Sequence, residues 1–132
     1  MQYKKLGTSE VKVTPIAFGA WAIGGWMWGG AEEKDAIKAL HASFDKGITT
    51  IDTAPVYGFG KSEELVGKAM SGISRDKYQV LTKFGLNWQT AEGEFSFDTI
   101  NNEGQPVKMY RFSGRKKVKQ ECEDSLRRLK TD

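Results

Sequence analysis

Three polar side chains follow two short apolar segments in this sequence. Asp52 and Tyr57 lie in the run T-T-I-D-T-A-P-V-Y-G, and Lys83 ends the run V-L-T-K. A free phenol is a weak acid, with a reference pKa of about 10. A lysine beside the phenol favours the phenolate, and a carboxylate fixes that lysine as a charged neighbour. The three side chains therefore predict a tyrosine general acid, which is the proton donor that carbonyl reduction needs.

The elements that would position these residues alternate between strand and helix patterns. Apolar, β-branched runs predict buried strands. Apolar residues at helical spacing predict the helices. Gly47 is a stop signal after the first helix, and Ser62 is the predicted N-cap of the second. The predicted strands span residues 15–19, 48–53 and 78–83, and the predicted helices span 31–46, 62–72 and 114–130. The alternation predicts an α/β protein with parallel strands.

Two further segments are predicted to form β-hairpins. Residues 1–14 alternate in polarity around the turn residues Gly7-Thr8-Ser9. Residues 84–112 are far longer than the ~2–6 residues of an ordinary βα loop. Residues 94–98 and 107–112 alternate on either side of the turn residues 101–104, so this long insertion is predicted to fold back as a hairpin over the strand ends.

Several separated motifs together resemble the aldo-keto reductase family. They are I-D-T-A-x-x-Y-G, the strand that ends in T-K, and the opening run Y-K-K-L-G-T-S-E-V-K-V-T-P-I-A-F-G-A-W. The resemblance implies that Asp52, Tyr57 and Lys83 are three members of a catalytic tetrad. The fourth member would be a histidine expected after Asp132, whereas the single histidine, His41, lies between the first and second strand signals.

The resemblance also implies a fold and a cofactor. The fold would be the N-terminal portion of a (β/α)8 TIM barrel with an N-terminal hairpin and about three βα units. Because a complete barrel needs roughly 250 residues, residues 1–132 are expected to form a single, incomplete barrel domain. The cofactor would be NADP(H). Gly19-Ala20-Trp21 resembles a family segment beside the nicotinamide, and Asp52 completes the predicted cofactor set. Ala20 lacks the commoner threonine hydroxyl, so its contact would be through the main chain.

The implied activity is hydride transfer between the nicotinamide and a small aldehyde or ketone. The chain alone is expected to be truncated and inactive, and to self-associate or require the missing C-terminal part. One alternative is a non-catalytic, cofactor-binding regulatory subunit of the same family. A more remote alternative is a phosphate loop at Gly60-Lys61-Ser62, which Pro55 opposes because it stands where that motif requires glycine.

Composition excludes several other classes. A net charge of +3 is too small to indicate nucleic-acid binding. Apolar runs fall short of the ~20 residues of a membrane span, and the start M-Q-Y-K-K lacks a signal-peptide core. We expect a cytoplasmic protein with no membrane partner and no metal site. The single cysteine, Cys122, fits a reducing compartment and is predicted to be in the core of the last helix.

Overall fold

A short antiparallel hairpin opens the computed structural model, which describes residues 2–132. Strands β1 (Lys4–Lys5) and β2 (Lys12–Val13) pair with Lys4 opposite Val13. The turn between them is closed by the Ser9 N–H, which donates to the Leu6 carbonyl over 3.2 Å. The N-terminal hairpin therefore lies where the sequence predicts it, although Met1 of the predicted range is outside the described residues.

A three-stranded parallel sheet follows, with its strands in chain order. Its members are β3 (Phe18–Gly19), β4 (Thr50–Asp52) and β5 (Gln79–Leu81). The predicted parallel pairing is confirmed, although each strand is shorter than predicted. Gly19 lies opposite Asp52, and Asp52 lies opposite Leu81. This register brings the residues that follow all three strands to the same edge of the sheet.

Four α-helices occur between residues 2 and 132, and one of them is not predicted from the sequence. They are α1 (Trp21–Gly24), α2 (Glu33–Asp45), α3 (Lys61–Ala69) and α4 (Arg115–Leu129). Helix α1 is a single turn within the segment 20–30 that the sequence predicts as loop. Between residues 2 and 132, no helix has both the length and the apolar character required to cross a membrane.

The main core lies between the helices and the parallel sheet. It joins fully buried aliphatic side chains from α2 and α3 to the sheet, with Leu40, Ile51, Leu65 and Val66 at its centre. Helix α4 contributes Leu129. The predicted core position of Cys122 is wrong, because its thiol is exposed. The face of α4 that turns inward carries Glu121, Ser125 and Leu129, which are spaced by one helical turn each.

The long insertion forms a second, antiparallel sheet. Strands β7 (Glu94–Ile100) and β8 (Pro106–Arg111) make the predicted hairpin, with Asn101 to Gly104 as its turn. A third strand, β6 (Leu86–Asn87), pairs with the outer side of β8 and was not predicted. Met109 of β8 is fully buried against Trp26, Ala54 and Val56. The insertion therefore packs on the loops that follow β3 and β4, as the sequence analysis expects.

Candidate active site

An ion pair joins the ends of the two neighbouring strands β4 and β5. Asp52 is the last residue of β4, and Lys83 lies two residues beyond the end of β5. The Lys83 Nζ donates to Asp52 Oδ1 over 2.7 Å and to the Thr53 carbonyl over 2.9 Å. Both side chains are a little under half exposed. The parallel register thus brings together a carboxylate and an ammonium that are 31 positions apart.

Tyr57 completes the group from the turn after β4. Its backbone N–H donates to the Ala54 carbonyl over 3.1 Å, which closes the turn. Its ring stacks on the indole of Trp21, with centroids 4.9 Å apart and planes 4° from parallel. The Lys83 Nζ lies 4.8 Å from the centroid of the Tyr57 ring. The structure therefore brings Asp52, Tyr57 and Lys83 together at one edge of the sheet.

The charge state of Lys83 follows from these contacts. Burial acts to lower the pKa of the Lys83 ammonium, but its hydrogen bond to Asp52 and the proximity of Tyr57 outweigh this effect. The pKa of Lys83 is therefore raised above its ordinary value. The direct hydrogen bonds of the Lys83 ammonium go to Asp52 and Thr53, while its contact with Tyr57 is mainly over the ring face. At neutral pH the site holds a fixed positive charge beside the phenol.

A close approach of two glycines sets the position of Tyr57. A Cβ on Gly24 would lie 2.6 Å from the Tyr57 carbonyl oxygen, and a Cβ on Gly58 would lie 1.8 Å from the Gly24 carbonyl oxygen. Gly58 also has φ +66°, a conformation that glycine adopts without steric cost. These positions allow α1 to pack directly on the backbone of the tyrosine turn, so that Trp21 can stack on Tyr57.

The three predicted cofactor residues after β3 differ in their surroundings. Gly19 is exposed, and nothing lies within 4 Å of the position that its Cβ would take. Ala20 is fully buried; its N–H donates to the Asp52 carbonyl over 2.8 Å, and its carbonyl accepts from the Ser62 hydroxyl. Ala20 thus holds β4 and α3 in place, whereas Gly19 faces open space and Trp21 is half-buried against Tyr57.

A pocket of about 260 Å³ lies beside Tyr57 and Lys83. Apolar and aromatic side chains form most of its wall, and these are Trp21, Trp26, Val56, Phe84 and Leu86. Of the four tryptophans in the sequence, Trp21 and Trp26 line this pocket, whereas Trp28 is exposed and Trp88 packs edge-on against Phe59. The arrangement places a phenol and an ammonium in a mostly apolar pocket.

Two contacts with the insertion hold the pocket wall. The indole Nε1 of Trp26 donates to the Thr99 hydroxyl over 3.0 Å, and its ring stacks on Phe97 with centroids 6.4 Å apart. A larger open groove of about 1050 Å³ lies between residues 23–32 and residues 99–102. Because Asp52, Tyr57 and Lys83 do not line that groove, the smaller pocket is the candidate site.

Glu121 is a pocket residue that the sequence analysis missed. It is buried on α4, and its Oε2 accepts the Gly85 N–H over 2.7 Å. Val118, Cys122, Leu126 and Leu129 recur at helical spacing, which predicts a different packed face of α4, and the local sequence carries no signal that singles out Glu121.

Ser62 has a different role from the predicted one. Helix α3 begins at Lys61 after Gly60, and Ser62 makes no capping hydrogen bond. The Ser62 side chain is fully buried and bonds to Ala20 and Thr53 instead. The same contacts disfavour the phosphate-loop alternative, because the hydroxyl that would serve a metal-bound phosphate is already hydrogen-bonded inside the protein.

Comparison with known proteins agrees with this geometry. The model of the aldo/keto reductase family matches residues 15–132. Aldo-keto reductase YhdN of Bacillus subtilis (strain 168) is 41% identical over 133 residues, covering 100% of this chain and 35% of that protein. The NADH-specific methylglyoxal reductase of Escherichia coli (strain K12) is 33% identical over 129 residues, covering 96% of this chain and 38% of that protein.

Solved structures give the same result. The glycerol dehydrogenase from Gluconobacter oxydans superposes with a TM-score of 0.75 at 40% identity, covering 98% of this chain and 36% of that chain. An aldo-keto reductase from Klebsiella pneumoniae, solved in complex with NADPH, has a TM-score of 0.62 at 29% identity, covering 93% of this chain and 34% of that chain. This chain spans about a third of the length of these proteins.

The fold is α/β and matches part of the TIM-barrel fold of these structures. The chain belongs to the aldo/keto reductase family.

Proposed function

We propose that this chain provides part of the active site of an NADP-dependent aldo-keto reductase. The reaction would be reversible hydride transfer between a nicotinamide cofactor and the carbonyl carbon of a small aldehyde or ketone. The observation that carries the proposal is the position of Lys83, between the Asp52 carboxylate and the Tyr57 ring, at the carboxyl ends of adjacent parallel strands. Barrel enzymes place their chemistry at this end of the strands.

Each side chain has a separate part in the proton transfer. The Tyr57 hydroxyl donates its proton to the carbonyl oxygen as negative charge develops there. The Lys83 ammonium stabilises the phenolate that remains, and the Asp52 carboxylate holds the ammonium in place. In the reverse direction the phenolate accepts the proton of the alcohol. The indoles of Trp21 and Trp26 line this pocket and would limit the access of water to it.

The open surface after β3 fits a nicotinamide ring. Gly19 has no side chain, nothing fills the space above it, and its neighbour across the sheet is Asp52. Gly19, Trp21 and Asp52 would hold the cofactor, with Ala20 fixing the backbone between them. When bound, the cofactor supplies the hydride. The NADPH complex of the Klebsiella pneumoniae protein supports NADP(H) over NAD(H), and the NADH-specific Escherichia coli relative makes a direct comparison of both cofactors necessary.

A fourth proton-handling group is not provided by His41. That imidazole lies on α2, and its Nε2 is 2.6 Å from the Ala69 carbonyl at the end of α3. We propose that residues 1–132 supply three groups of the tetrad, so the isolated chain lacks reductase turnover. We also propose a reducing, cytoplasmic compartment, where an exposed free thiol such as that of Cys122 remains reduced.

A chimaera tests this proposal. Residues 1–132 replace the matching segment of YhdN, and loss of NADPH absorbance is followed with a panel of small aldehydes, then with NADH. We expect turnover by the chimaera, and we expect Tyr57→Phe to reduce it by about 10²–10⁴-fold because the general acid is lost. The control is Tyr3→Phe, which alters an exposed tyrosine of the N-terminal segment and should leave turnover unchanged.

Other results would contradict parts of the proposal. Cofactor binding by a folded chimaera without turnover would support the regulatory alternative. Equal turnover by the Tyr57→Phe chimaera would exclude Tyr57 as the general acid. Turnover by the isolated 132-residue chain would show that the three groups suffice.

A further inference from the structure

Two consecutive polar residues in the first turn of α3, Ser62 and Glu63, are fully buried. Burying a hydroxyl or a carboxylate is unfavourable unless every polar atom finds a partner. Both side chains point towards the ends of β4 and β5 and not into solvent. Their hydrogen-bond partners therefore identify the segments that this turn of α3 holds in place.

Ser62 links three loops of the candidate site. Its hydroxyl donates to the Ala20 carbonyl over 2.6 Å, which uses its only proton. The Thr53 hydroxyl, 2.9 Å away, must therefore donate to the Ser62 oxygen. The Ser62 backbone N–H donates to the Tyr57 carbonyl over 3.1 Å. One residue thus contacts the segment after β3, the end of β4 and the tyrosine turn.

Glu63 makes the equivalent link to β5. The Thr82 hydroxyl donates to Glu63 Oε1 over 2.6 Å, and the Arg128 Nε donates to Glu63 Oε2 over 2.6 Å. Arg128 comes from α4 and balances the buried negative charge. Both carboxylate oxygens are therefore used, and one of them holds the residue that immediately precedes Lys83.

We propose that Ser62 and Glu63 are positioning residues for the Asp52–Lys83 pair. Each holds a threonine next to one member of the pair: Ser62 holds Thr53, and Glu63 holds Thr82. The Lys83 ammonium bonds both to the Asp52 side chain and to the Thr53 carbonyl. These two hydrogen bonds therefore depend on the relative position of the ends of β4 and β5. Because hydrogen bonds weaken beyond ~3.2 Å, a displacement of either strand end by about 1 Å would break these contacts. The catalytic role of the Asp52–Lys83 pair rests on the proposed reductase function, whereas the hydrogen bonds that position the pair are independent of that function.

The experiment measures the Lys83 ammonium directly in the 132-residue chain. Lysine side chains are labelled with ¹⁵N, and the proton-exchange rate of the Lys83 ammonium is measured near neutral pH. Thr82→Val removes the hydroxyl with little change of shape, and Thr82→Ser restores it. Thr8→Val, in the exposed turn of the N-terminal hairpin, is the matched control.

We expect the Lys83 ammonium to exchange slowly in the original chain, with Thr82→Ser and with Thr8→Val. With Thr82→Val and with Ser62→Ala we expect its exchange rate to rise to that of the exposed lysines. A loss of thermal stability in Thr82→Val with no change in Lys83 exchange would overturn the proposal, since it would show that the contact only stabilises the fold.

A second measurement needs no variant. In the original chain, the Thr82 hydroxyl proton should give a separate, slowly exchanging resonance with a nuclear Overhauser effect to the Glu63 side chain. Absence of that resonance or of the effect would also overturn the proposal. Neither readout depends on turnover. A chain without reductase activity can therefore still show the positioning role of Ser62 and Glu63, and an active chimaera would not by itself establish that role.

Discussion

Replacing Arg128 with methionine tests the buried ion pair between α3 and α4. The Glu63 side chain has no exposed surface, and the Arg128 side chain retains 19% of its exposure. Methionine fills the space of the arginine stem but donates no hydrogen bond. In the variant, Glu63 keeps the Thr82 hydroxyl as a partner and loses its only cation.

The size of the effect follows from this geometry. Removing one partner of a buried ion pair costs about 3–5 kcal/mol. Because the Thr82 hydroxyl still bonds to one oxygen and the arginine side is partly open to water, we expect a loss of about 3 kcal/mol in the free energy of unfolding. At about 3–6 °C per kcal/mol for a domain of this size, the melting temperature should fall by about 9–18 °C.

Urea unfolding provides the assay. The double variant Glu63→Gln, Arg128→Met should recover part of the loss, since neither buried charge remains. The control is Arg127→Met, which breaks an exposed contact with Asp124 and should cost less than about 0.5 kcal/mol.

An equal, small loss in Arg128→Met and Arg127→Met would refute the reasoning. It would mean that water solvates Glu63 as well as Arg128 does. A large loss that the double variant does not recover would show that the packing of the arginine stem matters and that its charge does not.

Three further predictions concern the candidate site and α4. Gly24→Ala should cost about 1–3 kcal/mol in unfolding free energy, because its Cβ would lie 2.6 Å from the Tyr57 carbonyl oxygen; a neutral result in urea would show that α1 can move away. Asp52→Asn should lower the raised pKa of Lys83. The stability that this pair contributes is present below the ordinary lysine pKa, about 10.4, and is lost as the pH rises through the folded value. Asp52→Asn should therefore be less stable than the original chain at neutral pH, with the difference disappearing at alkaline pH, and equal stability at neutral pH would show that the pair is weak. Native Cys122 should react with a thiol reagent as fast as it does in urea, and protection in the folded chain would contradict its exposed position.

The strand ends of the site could be predicted from the sequence. Asp52 and Lys83 follow apolar, β-branched runs, Tyr57 lies in the turn after the first of these runs, and parallel strands bring their carboxyl ends to one edge. The insertion was also predictable as a hairpin, because its two alternating runs enclose turn residues. The strand β6 was not, since two residues carry no periodic signal.

The partners of α3 could not be predicted, because they lie far away in the sequence. Ser62 before an acidic pair has the local pattern of an N-cap, but its acceptor is the Ala20 carbonyl, 42 positions earlier. Glu63 looks like a solvent-exposed acid until Arg128 is known to lie beside it. The periodic pattern also selects buried positions by their hydrophobicity, so it places Cys122 inside and Glu121 outside. In the structure Cys122 is exposed, and Glu121 turns inward to accept the Gly85 N–H.

The contact between Glu63 and Arg128 also sets an order of events during synthesis of the chain. The ribosome releases Asp52, Tyr57 and Glu63 first, then Thr82 and Lys83, and only much later Arg128. Until α4 emerges, the nascent chain carries a carboxylate that cannot be buried with its cation, so the turn that joins the two strand ends stays solvated. Thus the last helix of this segment, which is far from Asp52 and Tyr57 in sequence, must be made before they reach their final geometry.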